Sequence, residues 1–151
     1  MIALTKPQGC TNLKLRQITR LVTQHYDLEL AKAGLKTTQY SLLSHVVKLG
    51  PLRAVDLART MRMSTSTLSR NLQPLVTHGW LEVLAGADAR SRLIRATDIG
   101  LAKRAEAQRK WRIAQETINA TLGLERVQAL HALIDESMDL LTPLEADDDE
   151  S

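Results

Sequence analysis

The sequence has no phenylalanine, and aromatic residues make up 3% of its 151 positions. A core built from Leu, Val, Ile and Ala instead favours helices over a β-sandwich. The single cysteine, Cys10, excludes an intramolecular disulfide framework and any CxxC zinc or redox pair. No run of 18 apolar residues occurs, so no membrane-spanning helix is expected. The stretch 1–17 lacks the apolar centre of a signal peptide, which leads us to expect a cytoplasmic chain. His25, His45, His78 and His131 show no HxxxH-type spacing, so no metal is expected. No nucleophile–base constellation and no phosphate-cradling glycine loop is present. The sequence therefore does not read as an enzyme, and no cofactor is expected.

What is present is an ordinary globular composition, 44% hydrophobic and 25% charged, at a length that suits one domain. The net charge of +3 conceals an asymmetry. The last seven residues, EADDDES, hold five acids and no base; without them, 20 basic side chains face 12 acidic ones, a net of +8. Residues 53–112 contain twelve Lys or Arg against five Asp or Glu. A basic middle points to a polyanionic partner, and the acidic tail, 145–151, is expected to be disordered.

Hydrophobic periodicity predicts a helix over 12–33 stopped by Gly34, then a helix capped by Thr37 or Thr38 and ended by Gly50-Pro51. A short helix is expected over 52–60. Ser64 reads as the N-cap of a third helix whose Leu68, Leu72, Leu75 and Val76 share one stripe. Two strands, 80–84 and 93–97, flank the polar loop 86–92 as a β-hairpin. Asp98 is expected to cap a long helix reaching Leu122. After Gly123, Leu124, Val127, Leu130, Leu133, Ile134, Met138 and Leu141 line a last helix.

The expected fold is thus mainly α with a small β-hairpin, on the plan of a winged helix-turn-helix. Its chemistry follows from DNA geometry: the major groove admits a helix whose outward residues are polar. With Leu68 and Leu72 turned inward, the third helix presents Thr65, Ser66, Thr67, Ser69, Arg70, Asn71 and Gln73. Small hydroxyls allow close approach and phosphate contacts, while Arg and Gln can reach base edges bidentately. Arg90 and Arg92 lie in the hairpin loop, where a wing would meet the negative minor groove. Asp88 would orient a wing arginine through a salt bridge. A winged helix used for protein–protein contact is the competing use of this fold, and it would call for an apolar or acidic third-helix surface.

The runs Leu72-Gln73-Pro74-Leu75-Val76-Thr77-His78-Gly79-Trp80-Leu81, Asp88-Ala89-Arg90-Ser91-Arg92 and Ala96-Thr97-Asp98-Ile99-Gly100 resemble the MarR family of bacterial transcriptional regulators, over about residues 12–142. The resemblance implies an obligate homodimer binding near-palindromic double-stranded DNA. It assigns 10–36 and 98–144 to dimerisation helices and 37–97 to the DNA-binding lobe. It also implies a repressor, released by a small anionic aromatic or an oxidant. Two features depart from the common pattern: Pro74 lies inside the recognition helix, and Arg92 runs directly into Leu93.

For the trigger, Arg16, Tyr26 and Tyr40 are candidates to bind an aromatic carboxylate, the tyrosines alternatively serving as core residues with hydrated hydroxyls. Cys10 is a candidate redox sensor. Alignment through Tyr26 and Tyr40 places the cysteine of thiol-sensing relatives nearer Asn12, and Arg16 and Thr37 stand where those relatives carry tyrosines. The sequence therefore favours the aromatic anion over peroxide as the trigger.

Overall fold

The computed structural model describes residues 4–88 and 90–143. The acidic tail lies outside them. The order is α1 (Thr11–Leu30), a 3-10 turn (Ala31–Ala33), α2 (Thr37–Leu49), β1 (Leu52–Arg53), α3 (Ala54–Thr60), α4 (Thr65–Thr77), β2 (Leu81–Leu84), β3 (Leu93–Ala96), α5 (Asp98–Leu122) and α6 (Leu124–Leu141). Two compact units divide between Gln115 and Glu116, within the length of α5.

The first unit holds the core. Leu30, Leu42, Leu43, Val46, Leu57, Leu68, Leu75 and Leu81 are almost entirely hidden, joined by Tyr40, Trp80 and Ile94. Each such aliphatic side chain contributes about 1.5–3 kcal/mol through removal from water. The stripe on α4 forms as its spacing requires, with Leu68, Leu72 and Leu75 buried and Val76 half-buried. Ser64 caps α4 by accepting the Thr67 N–H at 3.2 Å. The helix continues through Pro74 to Thr77.

Four local expectations are corrected. The strands form a three-stranded antiparallel sheet in the order β1-β3-β2, so the hairpin gains a third strand. Leu52 and Arg53 pair with Ile94 and Leu93 before α3 begins at Ala54, so the short helix starts two residues later than its sequence suggests. Thr37 does not cap α2 with its own side chain. Its N–H and hydroxyl both donate to Asp27 Oδ1 from α1, at 2.7 and 2.6 Å, and the Lys36 N–H donates to Gln39 Oε1. Lastly, Thr97 rather than Asp98 caps α5, its hydroxyl accepting the Gly100 N–H at 3.0 Å while donating to the Gly79 carbonyl.

That junction fixes the start of α5 against the start of β2. Trp80 accepts the Thr97 N–H, and Lys103 donates to the Ala33 carbonyl at 3.0 Å with its ammonium 5.8 Å from the Trp80 ring centre. A Cβ on Gly100 would lie 1.9 Å from the Trp80 carbonyl oxygen. Backbone meets backbone there, so no flexible side chain can give way. Gly100→Ala is expected to destabilise the protein by about 1–3 kcal/mol, read as a lower urea midpoint with an unchanged slope. A midpoint equal to wild type would refute the close packing.

In the second unit, Ile118 and Val127 are buried. Gly123 separates α5 from α6 at φ 85°. Along α6 only Val127 is buried, and Leu124, Leu133, Ile134, Leu140 and Leu141 are exposed.

Candidate nucleic-acid interface and ligand cavity

Residues at spacings of four, one and three fall on one side of a helix turning about 100° per residue. On α4 this places Thr65, Ser66, Ser69, Arg70 and Gln73 together, and all five are exposed. Thr67 and Asn71 are half-buried at the margins. The Thr67 hydroxyl is 2.9 Å from Ser64 Oγ, and Asn71 Nδ2 approaches Met63 Sδ at 3.9 Å. The exposed strip carries hydroxyls, an amide and a guanidinium, with no acid and no large apolar side chain.

The loop between β2 and β3 is held by its own short side chains. The Asp88 carboxylate accepts the N–H groups of Arg90 and Ser91, both at 2.9 Å. Ser91 Oγ accepts the Asp88 N–H at 3.0 Å. A Cβ on Gly86 would fall 2.6 Å from both the carbonyl carbon and the carbonyl oxygen of Ser91, a clash with backbone that requires glycine at that point. Asp88 therefore orders the backbone that carries the wing arginines, and among the described residues its carboxylate makes no ion pair with a guanidinium. Arg90 and Arg92 are both exposed. At the base of the loop, Arg95 pairs with Glu82 across the strands.

Two further basic residues lie beside the helix-turn-helix without a signature in the sequence. Arg53, beside α3, is 2.9 Å from Asp56 and holds that carboxyl below its ordinary range by hydrogen bonding. Arg62 adopts a left-handed conformation, φ 54°, in the turn between α3 and α4. A helix-turn-helix with a strapped basic wing is the class of protein this lobe defines.

A cavity of about 410 Å³ opens within the first unit, lined by Tyr26, Tyr40, Ser44, His45, Arg104 and Trp111 among others. Tyr26 and Tyr40 thus come together as the sequence suggests. Tyr26 donates to Gln115 Oε1, and its burial pushes the phenol pKa up, so it remains a protonated donor at neutral pH. Tyr40 stacks on Trp111 with ring centres 6.3 Å apart. Arg16 does not join them; it is exposed on α1 and stands outside the lining. The cation in the cavity wall is Arg104 from α5. Among the described residues its Nε and the Ser44 hydroxyl are buried without a hydrogen-bond partner. Cys10 is exposed, immediately before α1. Among the described residues no group of three or more His, Cys, Asp or Glu is arranged to hold a metal ion, and no helix is long and apolar enough to cross a membrane.

Residues 33–91 match the MarR family model. The Mycobacterium tuberculosis transcriptional regulator MosR, solved in complex with DNA, is 31% identical over 89% of this chain and 100% of its own, with a TM-score of 0.76. A mutant of Escherichia coli MarR complexed with operator DNA is 18% identical, covering 84% of this chain and 92% of its own with a TM-score of 0.75, a likeness of fold. The HTH-type transcriptional regulator YwoH of Bacillus subtilis is 25% identical over 81 residues, 54% of this chain and 59% of that protein's length. The chain belongs to the MarR family of transcriptional regulators.

Proposed function

We propose that the chain is a cytoplasmic, homodimeric repressor that binds near-palindromic double-stranded DNA and is released from it by a small aromatic anion. The observation that carries the DNA reading is the exposed strip of α4, hydroxyl-rich and cationic, on the same lobe as a wing with two exposed arginines. A surface built for protein contact would be apolar or acidic there. In this reading α4 enters the major groove, with Ser66, Ser69 and Gln73 central to it. Asp88 holds the loop so that Arg90 and Arg92 reach the minor groove and its phosphates. MosR, similar over nearly the whole chain, is a DNA complex.

Arg90→Ala is expected to weaken binding to a duplex selected by the wild-type protein by about tenfold. The slope of log affinity against log salt should become shallower by about 0.9 for each phosphate that the wing no longer neutralises. Anisotropy titrations at several salt concentrations read both quantities. Unchanged affinity and slope would mean that the wing does not touch DNA.

The ligand reading rests on the cavity. A guanidinium whose buried Nε has no partner favours a carboxylate, since a charge-assisted hydrogen bond satisfies both groups. The stacked Tyr40 and Trp111 offer an aromatic wall. Release follows if the ligand binds the DNA-free arrangement more tightly than the DNA-bound one.

A further inference from the structure

A second, smaller cleft of about 170 Å³ lies on the DNA-binding lobe, lined by Lys36, Thr38, Gln39, Arg70, Asn71 and Pro74. It joins two stretches distant in sequence, one at the start of α2 and one on α4. Lys36 and Arg70 carry positive charge, and none of the lining residues carries negative charge. Four other basic residues of this unit are paired: Lys32 with Glu29, Arg53 with Asp56, Arg95 with Glu82, and Lys103 with Glu106. Among the described residues Lys36 and Arg70 have no ion pair, and both are exposed. Two unpaired cations held in one cleft repel each other until an anion enters.

The position of Arg70 on its helix matters too. Ser66, Ser69 and Gln73 occupy the middle of the exposed strip, whereas Arg70 lies at its edge, on the side shared with Asn71 and Pro74. A side chain at the centre of a recognition helix meets base edges, while one at the margin meets the groove wall, which is sugar and phosphate. Thr38, Gln39 and Asn71 add polar side chains to the same cleft, suited to phosphate oxygens.

We propose that Lys36 and Arg70 together clamp one backbone phosphate of the DNA, so that Arg70 fixes the register of α4 and does not read a base. The inference rests on the DNA-binding reading above and deepens it. It places at α2 a phosphate anchor that the pattern of α4 and the wing does not foreshadow.

The test uses the full-length chain with two duplexes: one selected from a random pool by the wild-type protein, and a scrambled duplex of equal length. Lys36→Gln, Arg70→Gln and the double variant are titrated against both at several salt concentrations. Each single substitution is expected to weaken both duplexes by the same factor, about five- to twentyfold, and to lower the salt slope. The double variant is expected to weaken binding by less than the product of the two single factors, because both cations hold one phosphate. Inorganic phosphate should compete only at concentrations far above those of the duplex. Weakening confined to the selected duplex would make Arg70 a base reader and overturn the clamp, as would wild-type binding by Lys36→Gln. A wild-type protein that binds neither duplex would remove the DNA-binding reading itself, and the clamp with it. Both side chains are exposed, so thermal unfolding of the variants is expected to match wild type, which distinguishes weaker binding from an unfolded protein.

Discussion

Replacing Arg104 with methionine is expected to raise the concentration of salicylate or benzoate needed to release DNA by about ten- to a hundredfold, while leaving DNA affinity in their absence close to wild type. Methionine preserves the apolar stem that packs in the cavity wall and removes only the guanidinium. That group is buried at Nε with no partner, so removing it strands no side chain bonded to that atom. A hydrogen bond between charged groups contributes about 1.5–3 kcal/mol, so ligand affinity should fall by about ten- to a hundredfold. The measurement is the aromatic-acid concentration that half-releases a fluorescent duplex, for wild type, Arg104→Met and Arg16→Met. Arg16 lies outside the cavity, and its variant should respond as wild type does. A parallel titration with cumene hydroperoxide includes Cys10→Ser. Release by hydroperoxide that disappears in Cys10→Ser, with no response to any aromatic acid, would reject the cavity as the trigger and install the exposed cysteine in its place.

Glutamates at Leu133 and Leu140 are expected to split the proposed homodimer and, with it, tight DNA binding. In the second unit these side chains are 63% and 79% exposed, and they lie two turns apart on one side of α6. On α1, described by itself, Leu13, Leu15, Ile18, Leu21 and Leu28 are also exposed. So much apolar surface on the two terminal helices is more than a monomer normally leaves in water. Burying two leucines from each of two copies contributes roughly 6 kcal/mol or more, which corresponds to at least about four decades in the dimer dissociation constant. Sedimentation at micromolar concentration should show a dimer for wild type and a monomer for the double variant. DNA affinity should collapse as well, because two half-sites are then no longer bound by one particle. A wild-type protein that sediments as a monomer would end the dimer reading.

The helix and loop of the DNA-binding lobe are legible in the sequence because their signals are local. Ser64 before a hydroxyl run, leucines at 68, 72 and 75, and an Asp–Ser turn between two apolar stretches each fix a short piece of backbone without help from elsewhere. The missing pieces depend on contacts made across the chain. Two residues, Leu52 and Arg53, are too few to display an alternating pattern, and only their pairing with β3 makes them a strand. The start of α2 is satisfied by Asp27, ten residues upstream of Thr37. Arg104 stands among Lys103, Arg109, Lys110 and Arg112, and nothing in that row marks which cation lines a cavity. The sequence offers Arg16 on the first helix instead, but its place on α1 leaves it in solvent.

The position of β3 has a consequence for how such a lobe can diversify. It is the middle strand, registered against β2 on one edge and β1 on the other, so its residues cannot slide without breaking two sets of pairings. Changes in length between Leu84 and Leu93 are therefore absorbed at the loop tip and do not reach Ile94 or the core beneath it. The tip becomes the segment where reach along a groove can lengthen or shorten independently of the fold. In the proposed mode of DNA binding, a regulator of this architecture acquires a new footprint by local insertion, while α4 keeps its seat on the core.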